Sequence, residues 1–226
     1  KIVLGMGKAC QEAGCALIGG ELAEMPGVYA EGEVDVAGTI VGVVDEAALL
    51  PRLDALEEDD VLIGLPSSGL HTNGYSLARK VCFELEGLRV GDELPGTGVN
   101  VGQALLAVHR SYLKPLLPLV EGGRLRAMAH ITGGGLTDNL PRVLPAHLDA
   151  AIDTGSWQVP PLFRYLMEKG GLGLEDARRS FNLGVGMVLI VRGEDAGAVL
   201  SDLHAAGEPA WVMGELVPGT GKVAYR

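Results

Sequence analysis

Val61-Leu62-Ile63-Gly64-Leu65 runs into Pro66-Ser67-Ser68-Gly69-Leu70-His71-Thr72-Asn73, and Gly74-Tyr75-Ser76 then opens helix-forming sequence as far as Leu85. A short apolar run, a polar loop with glycines and a helical stretch together make a strand–loop–helix unit. The same alternation extends on both sides. Lys1–Ala13 sets Ile2, Val3, Met6, Ala9, Cys10 and Ala13 at helical spacing, and Gly14 is a natural stop. Cys15–Ile18 predicts a short strand. Val34–Val44, almost wholly apolar and β-branched, predicts a strand buried on both faces. Asp45–Leu56 predicts a short helix and a connection. Downstream, Gly102–Val120 is a helical stretch that Pro115 and Pro118 bend or break. Met128–Ile131, Ala150–Thr154 and Val185–Val191 are strand-like, and Ala210–Val217 reads as the closing strand. Pro161–Lys169, Leu174–Arg179 and Asp195–Ala206 are helical. The class is therefore α/β, or α+β with mixed sheets. Glu57-Glu58-Asp59-Asp60 reads as a solvated acidic loop, and a domain boundary falls there, at about residue 58.

Glycine supplies 34 of 226 residues, about twice the usual ~7%. A hydrophobic content of 47% and a mean hydropathy of +0.25 exclude a disordered chain, and no Gly-X-Y period suggests collagen. The glycines must then serve turns and close backbone approaches inside a folded body. With 18 basic against 29 acidic residues the formal net charge is -11, which argues against general nucleic-acid or anionic-membrane binding. Local anion sites built from backbone N–H groups remain open. No segment approaches the ~18 consecutive apolar residues of a membrane span. Cys10, Cys15 and Cys82 are sparse, odd in number and without a CxxC pair, which argues against a zinc site and a disulfide framework and for a reducing, intracellular setting. The chain opens at Lys1 inside a helical pattern, so we expect a piece of a longer polypeptide.

Four polar, glycine-rich segments interrupt this core sequence. In Gly19-Gly20-Glu21-Leu22-Ala23-Glu24-Met25-Pro26-Gly27, Glu21 follows a strand end, where its oxygen suits a hard cation such as Mg²⁺; a tight turn with solvated acids is the plainer reading. In Ser67–Ser76, hydroxyls, two glycines, an imidazole and an amide crowd a strand-to-helix loop, a common ligand site. His71 has a reference pKa near ~6.5 and suits acid or base chemistry at neutral pH. The competing reading has Asn73 and Ser76 capping the helix and His71 on the surface. In His130-Ile131-Thr132-Gly133-Gly134-Gly135, three glycines offer exposed amides to an anion, with no Walker lysine following. In Ser180-Phe181-Asn182-Leu183-Gly184-Val185-Gly186, an amide precedes a Gly-x-Gly entry into a buried strand, equally explained by backbone packing.

Taken together, in this order, GGELAEMPG, SSGLHTNGYSLARK, HITGGGLTDNLPRVLP and RSFNLGVGM resemble the aminoimidazole ribonucleotide synthetase family, the phosphoribosylformylglycinamidine cyclo-ligases. The resemblance covers essentially the whole chain. Three departures stand out. Leu22 replaces the usual Thr or Ser, Thr72 replaces Ser, and Val108-His109-Arg110-Ser111-Tyr112 replaces a Pro-Thr-Arg-Ile-Tyr run. The family's N-terminal portion, with ATP- and metal-binding segments, would precede Lys1.

The resemblance implies a two-domain fold with the first domain partial. Residues 1–58 would be the latter part of an N-terminal ATP-binding and dimerisation domain, and 59–226 a C-terminal synthetase-like domain. It implies ATP-dependent closure of an imidazole ring from formylglycinamidine ribonucleotide in purine biosynthesis, with Mg²⁺, in a cytoplasmic homodimer. Glu21 would be the metal ligand and His71 the catalytic acid or base. Ser68, Gly69, Asn73, Gly133, Gly134, Gly135 and Asn182 would contact ATP or substrate. An amidotransferase-like enzyme of the same ATP-using superfamily and an inactive structural fragment are the alternatives.

Overall fold

The structure, a computed structural model, describes residues 1–226 and divides into two compact units, Lys1–Ala47 and Ala48–Arg226. In the first unit, α1 (Ile2–Ala13) stops at Gly14, whose left-handed backbone (φ 71°) turns its N–H toward the carbonyls of Cys10 and Gln11. The strands expected at Cys15–Ile18 and Val34–Val44 do not form. A strand needs a ladder partner and an apolar surface to bury against. This unit offers neither: beyond α1 it holds an isolated bridge between Pro26 and Tyr29, and Ile40 and Val43 are 85% and 100% exposed.

The second unit begins with two 3₁₀ turns, Glu46–Ala48 (straddling the division) and Leu53–Ala55, rather than the helix expected over Asp45–Leu56. The strands are β1 (Val61–Pro66), β2 (Ala127–His130), β3 (Leu148–Ile152), β4 (Val185–Val191), β5 (Trp211–Pro218) and β6 (Val223–Tyr225). Between β1 and β2 lie α2 (Tyr75–Arg79), which winds on into a π-helical turn Lys80–Leu85, then α3 (Val101–Leu105) and α4 (Leu113–Glu121). α5 (Gly135–Asn139) follows β2, α6 (Pro161–Gly170) and α7 (Leu174–Ser180) precede β4, and α8 (Ala196–Ala205) precedes β5. The expected prolines do not end the helical stretch. Pro115 sits in the first turn of α4, where an N–H has no helical partner anyway, and α4 continues through Pro118. The break comes earlier, between Leu105 and Leu113.

The strands form one mixed sheet in the order β2-β4-β1-β5-β3-β6, antiparallel throughout except where β6 runs parallel to β3. β5 is thus not the last strand: a three-residue β6 pairs Ala150–Ile152 with Val223–Tyr225. β1 and β4 are central and pair Ile63 with Leu189 and Leu62 with Ile190. Both sheet faces are covered, which is why these strands are apolar without alternation. Leu62, Val188 and Ile190 pack with Ala129, Leu136, Leu140 and Leu216. Ile63, Leu65, Leu189 and Val191 pack with Leu116 and Leu119 of α4 and Val199 and Leu203 of α8. A further cluster gathers α2, α3, α6 and α7 around Phe163 and Phe181, whose rings lie 5.7 Å apart.

The acidic run is only partly the solvated loop its composition suggests. Glu57, Glu58 and Asp59 are exposed, but Asp60 is 3% exposed and receives Arg126 Nη1 at 2.9 and 2.8 Å on its two oxygens. The backbone N–H of Glu57 adds a third hydrogen bond at 3.0 Å. A lone sequence gives no sign that Arg126, 66 residues away, will arrive to neutralise that carboxylate.

Candidate functional site

β1 delivers the chain into the loop that follows it, and Asn182 fixes that loop from across the sheet. Asn182 is 4% exposed. Its Oδ1 accepts from Ser67 Oγ at 2.8 Å and from the Gly184 N–H at 2.9 Å, and its Nδ2 donates to Gly69 O at 2.8 Å. Its amide is therefore engaged in holding two loops together. Beyond Gly69 the backbone enters the left-handed region at His71 (φ 51°) and Thr72 (φ 63°), costly for residues with a Cβ. Asn73 Nδ2 and Thr72 Oγ1 both donate to the His71 carbonyl, at 2.8 and 2.6 Å, and hold the turn. The N-cap of α2 is Gly74 with no side-chain cap, so Asn73 and Ser76 do not have the capping role considered for them.

The glycine loop after β2 lies against the same turn: a Cβ on Gly133 would sit 3.1 Å from Asn73 Oδ1. The expectation of three exposed amides is not met. Gly134 N–H donates to Arg179 O and Gly135 N–H to Thr132 O, each at 3.0 Å. Gly135 is buried with φ 59°, and a Cβ there would collide with the Arg178 carbonyl, so close packing of α5 on α7 demands glycine. Asn139 Nδ2 secures the loop through the carbonyls of Gly133 (3.1 Å) and Gly135 (2.8 Å). Arg178 in turn lies 3.7 Å over the ring of Tyr225 in β6, whose hydroxyl meets Thr137 Oγ1 at 2.7 Å.

His71 sits at the centre. It is 2% exposed, not a surface residue. Its Nε2 accepts from the Ser68 N–H at 2.9 Å and lies 3.0 Å from Ser68 Oγ, which donates to Val108 O at 2.7 Å. Its Nδ1 is buried without a hydrogen-bond partner. The ring stacks on His109 at 4.0 Å and 16°, and His109 Nε2 lies 3.0 Å from His130 Nε2. The ring fits because Gly186 has no side chain: a Cβ there would meet the Tyr112 hydroxyl and come 2.7 Å from His71 Cε1. Burial, helped by His109, His130 and Arg110, pushes the His71 pKa down to about 4. Desolvation lowers His109 and His130 as well. At neutral pH His71 is an uncharged imidazole, suited to accept a proton rather than to supply one as imidazolium. Nearby, Arg110 Nη2 is 2.8 Å from Glu208 Oε1, an ion pair off the line of a hydrogen bond.

Three of the four motifs thus meet at one end of the sheet. Ser68, Gly69, His71, Asn73, Gly133, Gly134, Gly135 and Asn182 belong to this assembly within the second unit. Glu21 is exposed in the first unit. Sequence reading assigned no role to His109 or His130. The available signal was that a histidine stands where the resembling family has threonine, but only the fold brings three of the chain's five histidines together.

Known proteins resemble this chain along its length. Residues 57–226 match the C-terminal domain, and residues 1–44 the N-terminal domain, of AIR synthase related proteins. A phosphoribosylformylglycinamidine cyclo-ligase of Brevibacillus brevis is 46% identical over 224 residues, 99% of this chain and 64% of its own length. That of Alkaliphilus oremlandii is 43% identical over 223 residues, 99% of this chain and 65% of its own length. A bifunctional purine biosynthetic protein of Schizosaccharomyces pombe is 44% identical over 95% of this chain and 27% of its own length. This chain therefore spans less than two thirds of the length of these two cyclo-ligases. Among solved structures, thiamine-monophosphate kinase from Stenotrophomonas maltophilia aligns with a TM-score of 0.52 at 17% identity, over 75% of this chain and 51% of its own. Hydrogenase maturation protein HypE in complex with ATP aligns with a TM-score of 0.52 at 18% identity, over 77% of this chain and 49% of its own. At such identities the likeness is one of fold. The matched domains and the cyclo-ligase relatives place the chain in the AIR synthase related family.

Proposed function

We propose that the polypeptide containing this chain closes the imidazole ring of aminoimidazole ribonucleotide from formylglycinamidine ribonucleotide at the expense of ATP. The observation that carries the reading is the convergence of the His71 loop, the Gly133–Gly135 loop and the Asn182 clamp at one sheet end. In that reaction ATP transfers a phosphoryl group to the formyl amide oxygen. An amidine nitrogen then attacks the same carbon, the new C–N bond forms, and the C–O bond breaks with phosphate as leaving group. A proton must leave the attacking nitrogen, and neutral His71 is the group suited to take it. Substrate reaches His71 only if His109 swings off its face. Ser68, exposed beside His71, and Gly69, Asn73 and Gly133 would position substrate, whereas Gly134, Gly135 and Asn182 serve by holding the loops in place.

Residues 1–58 would belong to the N-terminal ATP-binding and dimerisation domain and 59–226 to the C-terminal one; ATP use accords with the ATP complex of HypE, a protein of similar fold. Mg²⁺ sites ask for one or two carboxylates beside phosphate oxygens, a demand the exposed Glu21 fits. When bound, the cation would neutralise charge on the transferring phosphoryl group. A cytoplasmic homodimer completes the reading.

The test is ADP release from ATP and formylglycinamidine ribonucleotide by the full-length polypeptide. H71N should lower turnover by roughly 10²–10⁴-fold, far more than it lowers stability. Unchanged turnover would remove His71 from the chemistry.

A further inference from the structure

We propose that His71, His109 and His130 form a three-imidazole site for a late first-row divalent cation, Zn²⁺ foremost. The cysteine pattern argues against a zinc site, but these histidines supply one without thiols. One ring nitrogen from each lies within 4.8 Å of the others, and the His109 and His130 Nε2 atoms are 3.0 Å apart. A tetrahedral cation with bonds of about 2.0–2.1 Å spaces its nitrogens roughly 3.3 Å apart. The cluster therefore needs the His109–His130 pair to open slightly and the His71 nitrogen to come closer to both. The His109 ring must also turn out of its 4.0 Å, 16° stack on His71 so that the lone pairs meet at one ion. His109 and His130 can make that adjustment, because neither is buried.

The second observation is the orphaned Nδ1 of His71. A polar atom on a side chain only 2% exposed, with no hydrogen-bond partner, marks a place where a ligand belongs. The opposite nitrogen already has what an imidazole ligand uses on its far side. Metal-bound histidines donate their other ring N–H to an acceptor that fixes tautomer and orientation. Ser68 Oγ, 3.0 Å from Nε2 and itself donating to Val108 O, takes that hydrogen bond once the proton moves from Nδ1 to Nε2. The Ser68 N–H contact to Nε2 is given up in exchange. His130 is exposed, so water completes the coordination from solvent. The nearest fixed cation, Arg110, is paired with Glu208, and the chain's net charge of -11 favours divalent cations generally. Nitrogen donors of this type suit Zn²⁺, Co²⁺, Ni²⁺ and Cu²⁺ and not Mg²⁺ or Ca²⁺.

With Nδ1 on the cation and Nε2 protonated toward Ser68, His71 has no lone pair left to take a proton. The metal-bound state therefore blocks the base of the cyclisation reading, and the site is tested apart from that reading. Zn²⁺ is titrated into the chelator-stripped chain carrying C10S and C15S, which removes the two accessible thiols, in competition with a chromophoric chelator. Co²⁺ reports geometry through its visible absorption. The expected result is one Zn²⁺ per chain and a tetrahedral Co²⁺ spectrum. H109N and H130Q should each weaken binding by more than the roughly 10–100-fold that losing an outer hydrogen-bond partner costs, while H147Q, on an exposed histidine outside the cluster, leaves it unchanged. Far-UV dichroism and melting curves of the variants separate lost binding from lost folding. Absence of Zn²⁺ binding in the folded chain, or binding that persists in both folded variants, overturns the proposal. Neither outcome touches the turnover measured with H71N, and unchanged turnover in H71N leaves the metal site standing.

Discussion

The packing around Gly186 yields a measurable consequence. A methyl group there meets the Tyr112 hydroxyl and approaches His71 Cε1 to 2.7 Å and Nδ1 to 3.0 Å. Neither neighbour has room to yield. Tyr112 is 6% exposed and its hydroxyl donates to Pro66 O at 2.7 Å, and His71 is 2% exposed. Forcing extra volume into such packing costs about 1–3 kcal/mol, against which the stiffer alanine backbone returns less than about 1 kcal/mol. G186A should thus lose about 1–2 kcal/mol, which at 2–4 °C per kcal/mol for a chain of this size lowers the melting temperature by roughly 2–8 °C. Urea unfolding followed by tryptophan fluorescence reads this well, since Trp157 and Trp211 both lie in the second unit. G197A is the control. Gly197 lies in α8 with nothing within 4 Å of its Cβ position, so alanine there should stabilise by up to about 1 kcal/mol. Y112F removes the offending oxygen and should recover part of the G186A loss, a coupling of roughly 0.5–3 kcal/mol in a double-mutant cycle. If G186A is as stable as the parent, or gains as G197A does, the close approach of β4 to His71 is wrong.

Burial holds the folded-state pKa of His71 near 4, below its ordinary 6.5, so the neutral imidazole stabilises the fold above pH 6.5 and that contribution fades as the pH falls through 4. The loss is at most about 3 kcal/mol, shared in practice with His109, His130 and Arg110, which face the same ring; H71N should flatten the acid limb of stability against pH, and an unaltered limb would locate the effect elsewhere. R126M strands the buried Asp60 carboxylate and should destabilise by about 3–5 kcal/mol, visible as a lower urea midpoint; a change under 1 kcal/mol would mean that Asp60 is satisfied without its partner.

The strands at the centre of the sheet were legible because their burial is written into every residue. Val185–Val191 has no polar position to place on a wet face, and both faces prove to be covered. β6 was not legible. Three half-buried residues carry too little pattern, and their pairing with β3 depends on a partner 73 residues earlier (Ala150 and Val223). Val34–Val44 shows the converse: an apolar β-branched run states a preference for burial but not the surface that satisfies it. At the site, the glycines and His71 announced themselves through loop composition, whereas His109 and His130 acquire meaning only from distance. They come from a loop and a strand end 21 residues apart, with no spacing rule to link them. The glycine triplet suggests vacant amides for an anion, but composition does not reveal the carbonyls of Arg179 and Thr132 that take the N–H groups of Gly134 and Gly135.

The parallel pairing of β6 also makes Val223–Tyr225 a remote handle on the site. Tyr225 supports the Arg178 guanidinium and holds Thr137, and the Arg178 carbonyl is what Gly135 packs against. A substitution that loosens Tyr225 would act through that brace on the loop between β2 and α5. A substitution in β6 is therefore not a neutral choice, because it reaches that loop from the opposite edge of the sheet.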